Sequence, residues 1–146
     1  MKQSEMLEQI EVKQAIDHIA YYMDFNQLEK ALEYFSEDAR YSMTRKGEKV
    51  VDLRGKPAIR ENLQNLEDAS GFLFHLLGTK IVEVNELSQT ASSNSCCIVR
   101  QAAKDDLNKQ ETQYVEYRDS WLKFNGFWYL VERNVSILAQ SNEGQE

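Results

Sequence analysis

His75 is the residue of this chain best suited to move a proton. It stands inside Phe72-Leu73-Phe74-His75-Leu76-Leu77, a run with apolar neighbours on both faces, so a strand there holds the imidazole largely out of water. A desolvated imidazole beside a carboxylate is a common composition for a general base, although a lone buried histidine can equally be a satisfied core residue. The other histidine, His18, falls on the polar side of an amphipathic segment and reads as a surface residue. Two histidines without the carboxylate-histidine spacing of a zinc site suggest no metal, and proton abstraction needs no cofactor.

A second group of charges emerges from the strongest local turn signal, Asn125-Gly126. If those two residues form the turn, Phe124 faces Phe127, and counting back sets Leu122 against Tyr129, Ser120 against Val131 and Arg118 against Arg133. One face of that hairpin then carries Tyr114, Glu116, Arg118, Ser120, Leu122, Tyr129, Val131, Arg133, Val135 and Ile137. Charges in the middle of an apolar face need partners or water, so Glu116, Arg118 and Arg133 read either as a polar patch inside a cavity or as a self-satisfied ionic cluster. The opposite face, Val115, Tyr117, Asp119, Trp121, Trp128 and Leu130, is aromatic enough to need a cover, and a homo-oligomer, dimer or trimer, through this sheet face would supply one.

The elements that must position these residues follow from periodicity. From Ser4 to Met23, Leu7, Ile10, Val12, Ala15, Ile16, Ile19, Ala20 and Met23 recur at helical spacing. Asp24 with Gln27 has the form of a capping box for a second helix burying Leu28, Ala31, Leu32 and Phe35. Ala39, Tyr41 and Met43 alternate with polar residues, and Gly47 offers a turn into a return strand from Lys49 to Leu53. Pro57 opens a third helix carrying Ile59, Leu63 and Leu66. Phe72 to Asn85, Thr90 to Ala103, Thr112 to Phe124 and Phe127 to Leu138 read as strands. Lys104 to Gln110 reads as a loop tip, and Gln140 to Glu146 as a frayed acidic tail. Helices first and long strands afterwards predict an α+β fold, three helices across the mouth of a curved sheet enclosing a pocket, in one domain over 1–146. Tyr21, Tyr41, Met43, Phe72, Phe74 and Ile137 are expected to line that pocket.

Composition narrows the function classes. A chain of 146 residues can bury roughly two thirds of its surface without staples. A net charge of −7 argues against nucleic acid as a partner. The adjacent Cys96 and Cys97 point to opposite faces of a strand, so they do not bridge, and they fit a reducing compartment. Met1 to Gln9 lacks an apolar signal segment and no run reaches the ~18 apolar residues of a membrane span, so no membrane and a cytoplasmic location are expected.

The chain resembles SnoaL-like proteins of the nuclear transport factor 2-like superfamily. The resemblance rests on Asp24-Phe25-Asn26-Gln27, Tyr34-Phe35-Ser36-Glu37-Asp38-Ala39, Gly55 with Ala58-Ile59, His75 ahead of Gly78, and Asn125-Gly126-Phe127-Trp128-Tyr129, and it covers roughly Val12 to Leu138. It implies the cone fold. Members include hexachlorocyclohexane dehydrochlorinase and the bile acid and scytalone dehydratases, which use a pocket histidine as general base, as well as non-catalytic modules such as the β subunits of ring-hydroxylating dioxygenases. By that resemblance His75 is the base, Asp24 the carboxylate that orients it, and Arg133, followed by Asn134, the group that helps a leaving anion. The chain departs where the bile acid dehydratase has two pocket tyrosines, since Ile19 and Met43 stand there. The expectation is a cofactor-independent lyase or isomerase acting on a small, hydrophobic, cyclic molecule; the alternative is a module that binds such a molecule or assembles without chemistry.

Overall fold

The computed structural model describes residues 2–144. The chain runs α1 (Gln3–Asp24), α2 (Leu28–Leu32), β1 (Phe35–Arg45), β2 (Glu48–Arg54), α3 (Lys56–Ala69), β3 (Ser70–Asn85), β4 (Thr90–Ala103), β5 (Asp106–Phe124) and β6 (Phe127–Glu143). The six strands form one mixed sheet in the order β2-β1-β6-β5-β4-β3, in which only β1 and β6 run parallel. This is the α+β architecture expected from the element order.

Each helix is held by a narrow apolar stripe. α1 buries Val12, Ala15, Ile16 and Ile19 against the sheet, most extensively along β3. α2 buries Leu28, Ala31 and Leu32, and α3 buries Ile59 and Leu63. Pro57 lies in the first turn of α3, where its missing N–H costs nothing. Both two-residue hairpin turns use the left-handed region twice, Lys46 and Gly47 between β1 and β2, Asn125 and Gly126 between β5 and β6. Trp121, Phe35 and Leu130 sit at the centre of the core, and the Trp121 Nε1–H donates to Ser93 Oγ at 2.9 Å.

Three expectations about elements are corrected. Asp24 and Gln27 make no capping box: Gln27 caps α2 without a side-chain bond, and the Asp24 carboxylate is used elsewhere. Lys104 to Gln110 is no loop, because β5 already begins at Asp106 and Gln110 pairs with Ala102. Nor does the chain fray after Leu138, since β6 stays paired to β5 as far as Glu143 opposite Gln110; Gln145 and Glu146 lie outside the described residues. The polar side chains here hid strands that pair on either side of a bulge.

The most consequential irregularity is in β6. Phe124 faces Phe127 and Leu122 faces Tyr129 as the turn dictates, but Trp121 pairs with Leu130 and Ser120 with Glu132, which leaves Val131 as an extra residue. Below this bulge the side chains of β6 have changed face as far as Ile137, after which Leu138 is a second extra residue. Trp128 and Leu130 point inward above it, and Arg133, Val135 and Ile137 below it. Arg133 thereby meets Asp119, and the inner face of β5 is Val115, Tyr117, Asp119 and Trp121.

Candidate active site

Residues from all six strands line a single cavity of about 490 Å³, which requires the sheet to curl around it. Tyr41, Met43 and Arg45 come from β1, Val51 from β2, Leu73 and His75 from β3, Val99 and Gln101 from β4, Glu111, Gln113, Val115 and Tyr117 from β5, and Arg133 and Val135 from β6. Met23 of α1 and Asn62, Leu63, Asn65 and Leu66 of α3 close it. That volume suits a small organic molecule.

Asp24 and His75 meet on this cavity. The His75 Nδ1 lies 2.5 Å from Asp24 Oδ1, and the His75 backbone N–H donates to Asp24 Oδ2 at 2.9 Å. Both side chains are sealed, at 7% and 6% exposure. An ionised carboxylate only accepts, so the ring proton sits on Nδ1 and Nε2 keeps its lone pair. Because His75 lines the cavity and the carboxylate grips its Nδ1 edge, Nε2 is the nitrogen available to a bound molecule.

The chain fixes this carboxylate by the way α1 ends. Asn26 takes the left-handed conformation at φ 57°, its N–H bonds Met23 O, and the Gln27 N–H bonds Tyr22 O at 2.7 Å, a Schellman termination. Asp24 is thus the last residue of a firmly stopped helix. A carboxylate at a helix C-terminus opposes the helix dipole, and no basic residue lies in that turn. Such a local conflict is characteristic of residues placed for chemistry.

Arg133 is buried beside Tyr117, its guanidinium 4.2 Å from the ring centroid. Its Nε and Nη2 donate to the two oxygens of Asp119 at 2.9 and 3.0 Å. Burial works to lower its pKa, but the Asp119 charge and hydrogen bonds outweigh that and hold it above the ordinary arginine value, so the cation persists. Burial raises the hydroxyls of Tyr41 and, more strongly, Tyr117, so both stay neutral donors. Cys97 lies between the two charged pairs. Its thiol is pushed up to about 11, chiefly by burial, against Arg133 and a Tyr117 hydrogen bond, which pull it down.

His75, Asp24, Arg133, Tyr41 and Met43 are therefore brought together, and six other expected residues, Tyr21, Phe72, Phe74, Glu116, Arg118 and Ile137, are not. Tyr21 is 54% exposed and stacks on Phe25, because the stripe Val12, Ile16, Ile19 turns it away. Phe72 stacks on Phe74 on the outer face of β3, where the period of two that turns His75 inward must put it. Glu116 and Arg118 pair with each other at 2.9 Å on the outer face of β5, since the bulge gives the inner face to Tyr117 and Asp119. Ile137 is in the core but does not reach the cavity. The face Val115, Tyr117, Asp119, Trp121, which was to be covered by a second copy, is covered by this chain's own helices. Glu111, Gln113 and Gln101 escaped the sequence reading, although continuing the alternation backwards from Tyr117 through Val115 reaches Gln113 and Glu111.

An open α+β cone, helices over its mouth, with a histidine-carboxylate dyad at one wall of an apolar cavity, defines the class of protein. The chain belongs to the SnoaL-like domain family, whose model matches residues 4–134. No curated protein matches it. Among solved structures it is similar to a protein of Novosphingobium aromaticivorans DSM 12444 provisionally named a scytalone dehydratase, at 16% identity and TM-score 0.86 over 100% of this chain and 94% of that one. It is likewise similar to a hexachlorocyclohexane dehydrochlorinase, LinA-type3, of Novosphingobium barchaimii LL02, at 10% identity and TM-score 0.79 over 97% and 93% of the two chains. It also resembles an NTF2-like protein of unknown function from Pseudomonas putida KT2440, at 12% identity and TM-score 0.73 over 90% and 87%. At these identities the likeness is one of fold.

Proposed function

We propose that the protein is a cofactor-independent lyase or isomerase that removes a proton from carbon in a small, largely hydrophobic, cyclic molecule. The observation that carries this reading is the Asp24–His75 pair, with its accepting nitrogen on the side of a cavity whose lining is largely apolar. A histidine held only for packing needs no carboxylate on both its ring and its backbone N–H.

In the proposed reaction His75 Nε2 takes the proton, and Asp24 holds the imidazolium that forms. The C–H electron pair becomes a C=C bond as a β-substituent leaves with its own pair, or an enolate that is reprotonated elsewhere on the ring. Negative charge then develops near Arg133 and the neutral hydroxyl of Tyr41, donors already fixed before the reaction. Relatives named for dehydration and dehydrochlorination have this fold, which supports elimination over the isomerase branch.

The test is solvent deuterium exchange at the acidic C–H of small cyclic ketones, followed by NMR. The wild-type chain should accelerate exchange in at least one of them, and His75→Gln should return it to the buffer rate. Asp24→Asn should lower it by about 10²- to 10⁴-fold, the usual contribution of a positioned base. Exchange that survives His75→Gln, or that never exceeds buffer, refutes the proposal.

A further inference from the structure

The cavity has a second chemical pole. Glu111 Oε1 accepts hydrogen bonds from Gln113 Nε2 at 2.7 Å and Gln101 Nε2 at 3.3 Å, and all three residues line the cavity. Register places them away from Arg133: Glu111 is opposite Gln101, whereas Arg133 is opposite Asp119, eight positions further along β5. Val115 and Val99 lie on the wall between these poles.

A carboxylate accepts and cannot donate, so it fixes the orientation of both amides. Each must turn its nitrogen to Glu111, which leaves each amide oxygen without that partner. Gln113 is 92% buried by its 8% exposure, and its Oε1 has no partner among the described residues. Ser95 Oγ is the one side-chain polar atom that is both sealed and unpaired there, so the Gln113 oxygen borders open space, and the open space it borders is the cavity. Glu111 Oε2 is likewise without a side-chain partner among the described residues. This pole offers a bound molecule chiefly acceptors.

We infer that Gln101, Glu111 and Gln113 form a subsite for a neutral hydroxyl on the substrate, away from Arg133 and two strands across from His75, whose row through Val99 reaches Gln113. A site built around acceptors rejects an analogue that lacks the donor, because its own buried groups are then left unpaired. The ligand is neutral because the Glu111 carboxylate disfavours an anion at this pole and Arg45, which lines the same cavity, disfavours a cation. A substrate matching both poles is a hydroxylated ring compound with an acidic C–H elsewhere on the ring, and a purely halogenated hydrocarbon leaves this pole unpaired. The inference rests on the proton-abstraction reading only for which end reacts; the preference for a hydroxyl is a property of binding.

Three probes separate the two claims: 6-hydroxy-1-tetralone, its 6-methoxy analogue and 1-tetralone, with affinity measured by calorimetry and C2–H exchange by NMR. The hydroxy compound should bind about tenfold tighter than the methoxy one, as one hydrogen bond to a charged acceptor supplies. Gln113→Leu and Glu111→Leu should reduce that ratio to within about twofold while 1-tetralone binds at least as tightly as to the wild-type chain, which also shows that the variants fold; Glu111→Gln should give an intermediate ratio. No saturable binding of the hydroxy compound, no preference over methoxy, or a preference that survives both leucine variants overturns the inference. Preference without exchange refutes proton abstraction and keeps the subsite; exchange without preference does the reverse.

Discussion

Replacing Asp119 with alanine isolates the buried ion pair that holds Arg133. The two side chains are 0% and 6% exposed, so the guanidinium left behind in Asp119→Ala loses both of its charge-assisted bonds without gaining water. Breaking a pair this deeply buried costs about 3–5 kcal/mol. Unfolding entropy of about 2.1 cal/mol/K per residue over 146 residues is roughly 0.3 kcal/mol/K, so the melting temperature should fall by about 10–16 °C. Arg133→Met alone should cost a comparable amount, because Asp119 is then the orphan. The double variant, Asp119→Ala with Arg133→Met, should recover most of the loss, since burying neither charge avoids both desolvation penalties. Denaturant melts of the four proteins complete the cycle. A single Asp119→Ala within about 1 kcal/mol of wild type, or a double variant no more stable than either single one, would sink the account of Arg133 as a cation locked by one carboxylate.

Two further outcomes follow from the packing. At pH 8 one thiol should react promptly with Ellman's reagent and the second only after unfolding: Cys96 is exposed, whereas Cys97 is buried and, with its pKa raised to about 11, is thiolate in only about one molecule in a thousand, a fraction that grows tenfold per pH unit below that value; two equally fast thiols would contradict this. Gly71→Ala should lower stability by about 1–3 kcal/mol in a thermal melt, because a Cβ there would stand 2.6 Å from Leu107 Cδ2 and 3.0 Å from the backbone of Lys104; an unchanged melt would mean that the β4–β5 turn yields freely.

The parts of this protein that were legible in its sequence are those fixed by short-range chemistry. Asn125-Gly126 and Gly47 gave their hairpins, Pro57 gave the start of α3, and the helical stripe ending near Met23 gave α1. The family resemblance pairs Asp24 with His75, but nothing local in the sequence says that a carboxylate at a helix end meets an imidazole 51 residues later. The inner face of the last hairpin was misread for one reason. Val131 is an ordinary strand residue by type, and its bulge answers to the distant pairing of β1 with β6, where Phe35 and Arg40 oppose Leu130 and Glu132. A one-residue slip exchanges faces, so Glu116 and Arg118 were placed inside in error and Tyr117 and Asp119 outside. Polar residues that line a cavity, such as Gln113 and Glu111, resemble surface residues until the tertiary fold encloses them.

β3 is an edge strand, paired only to β4, and such an edge offers its outward N–H groups to any extended chain that approaches. The His75 N–H is one of these groups, and Asp24 Oδ2 already occupies it. The carboxylate that aims the imidazole therefore also straps the end of α1 over the open margin of the sheet, where a foreign strand would dock. Protection against aggregation and the tuning of a base fall on one side chain, so a substitution at Asp24 that spared the chemistry would still leave this margin exposed.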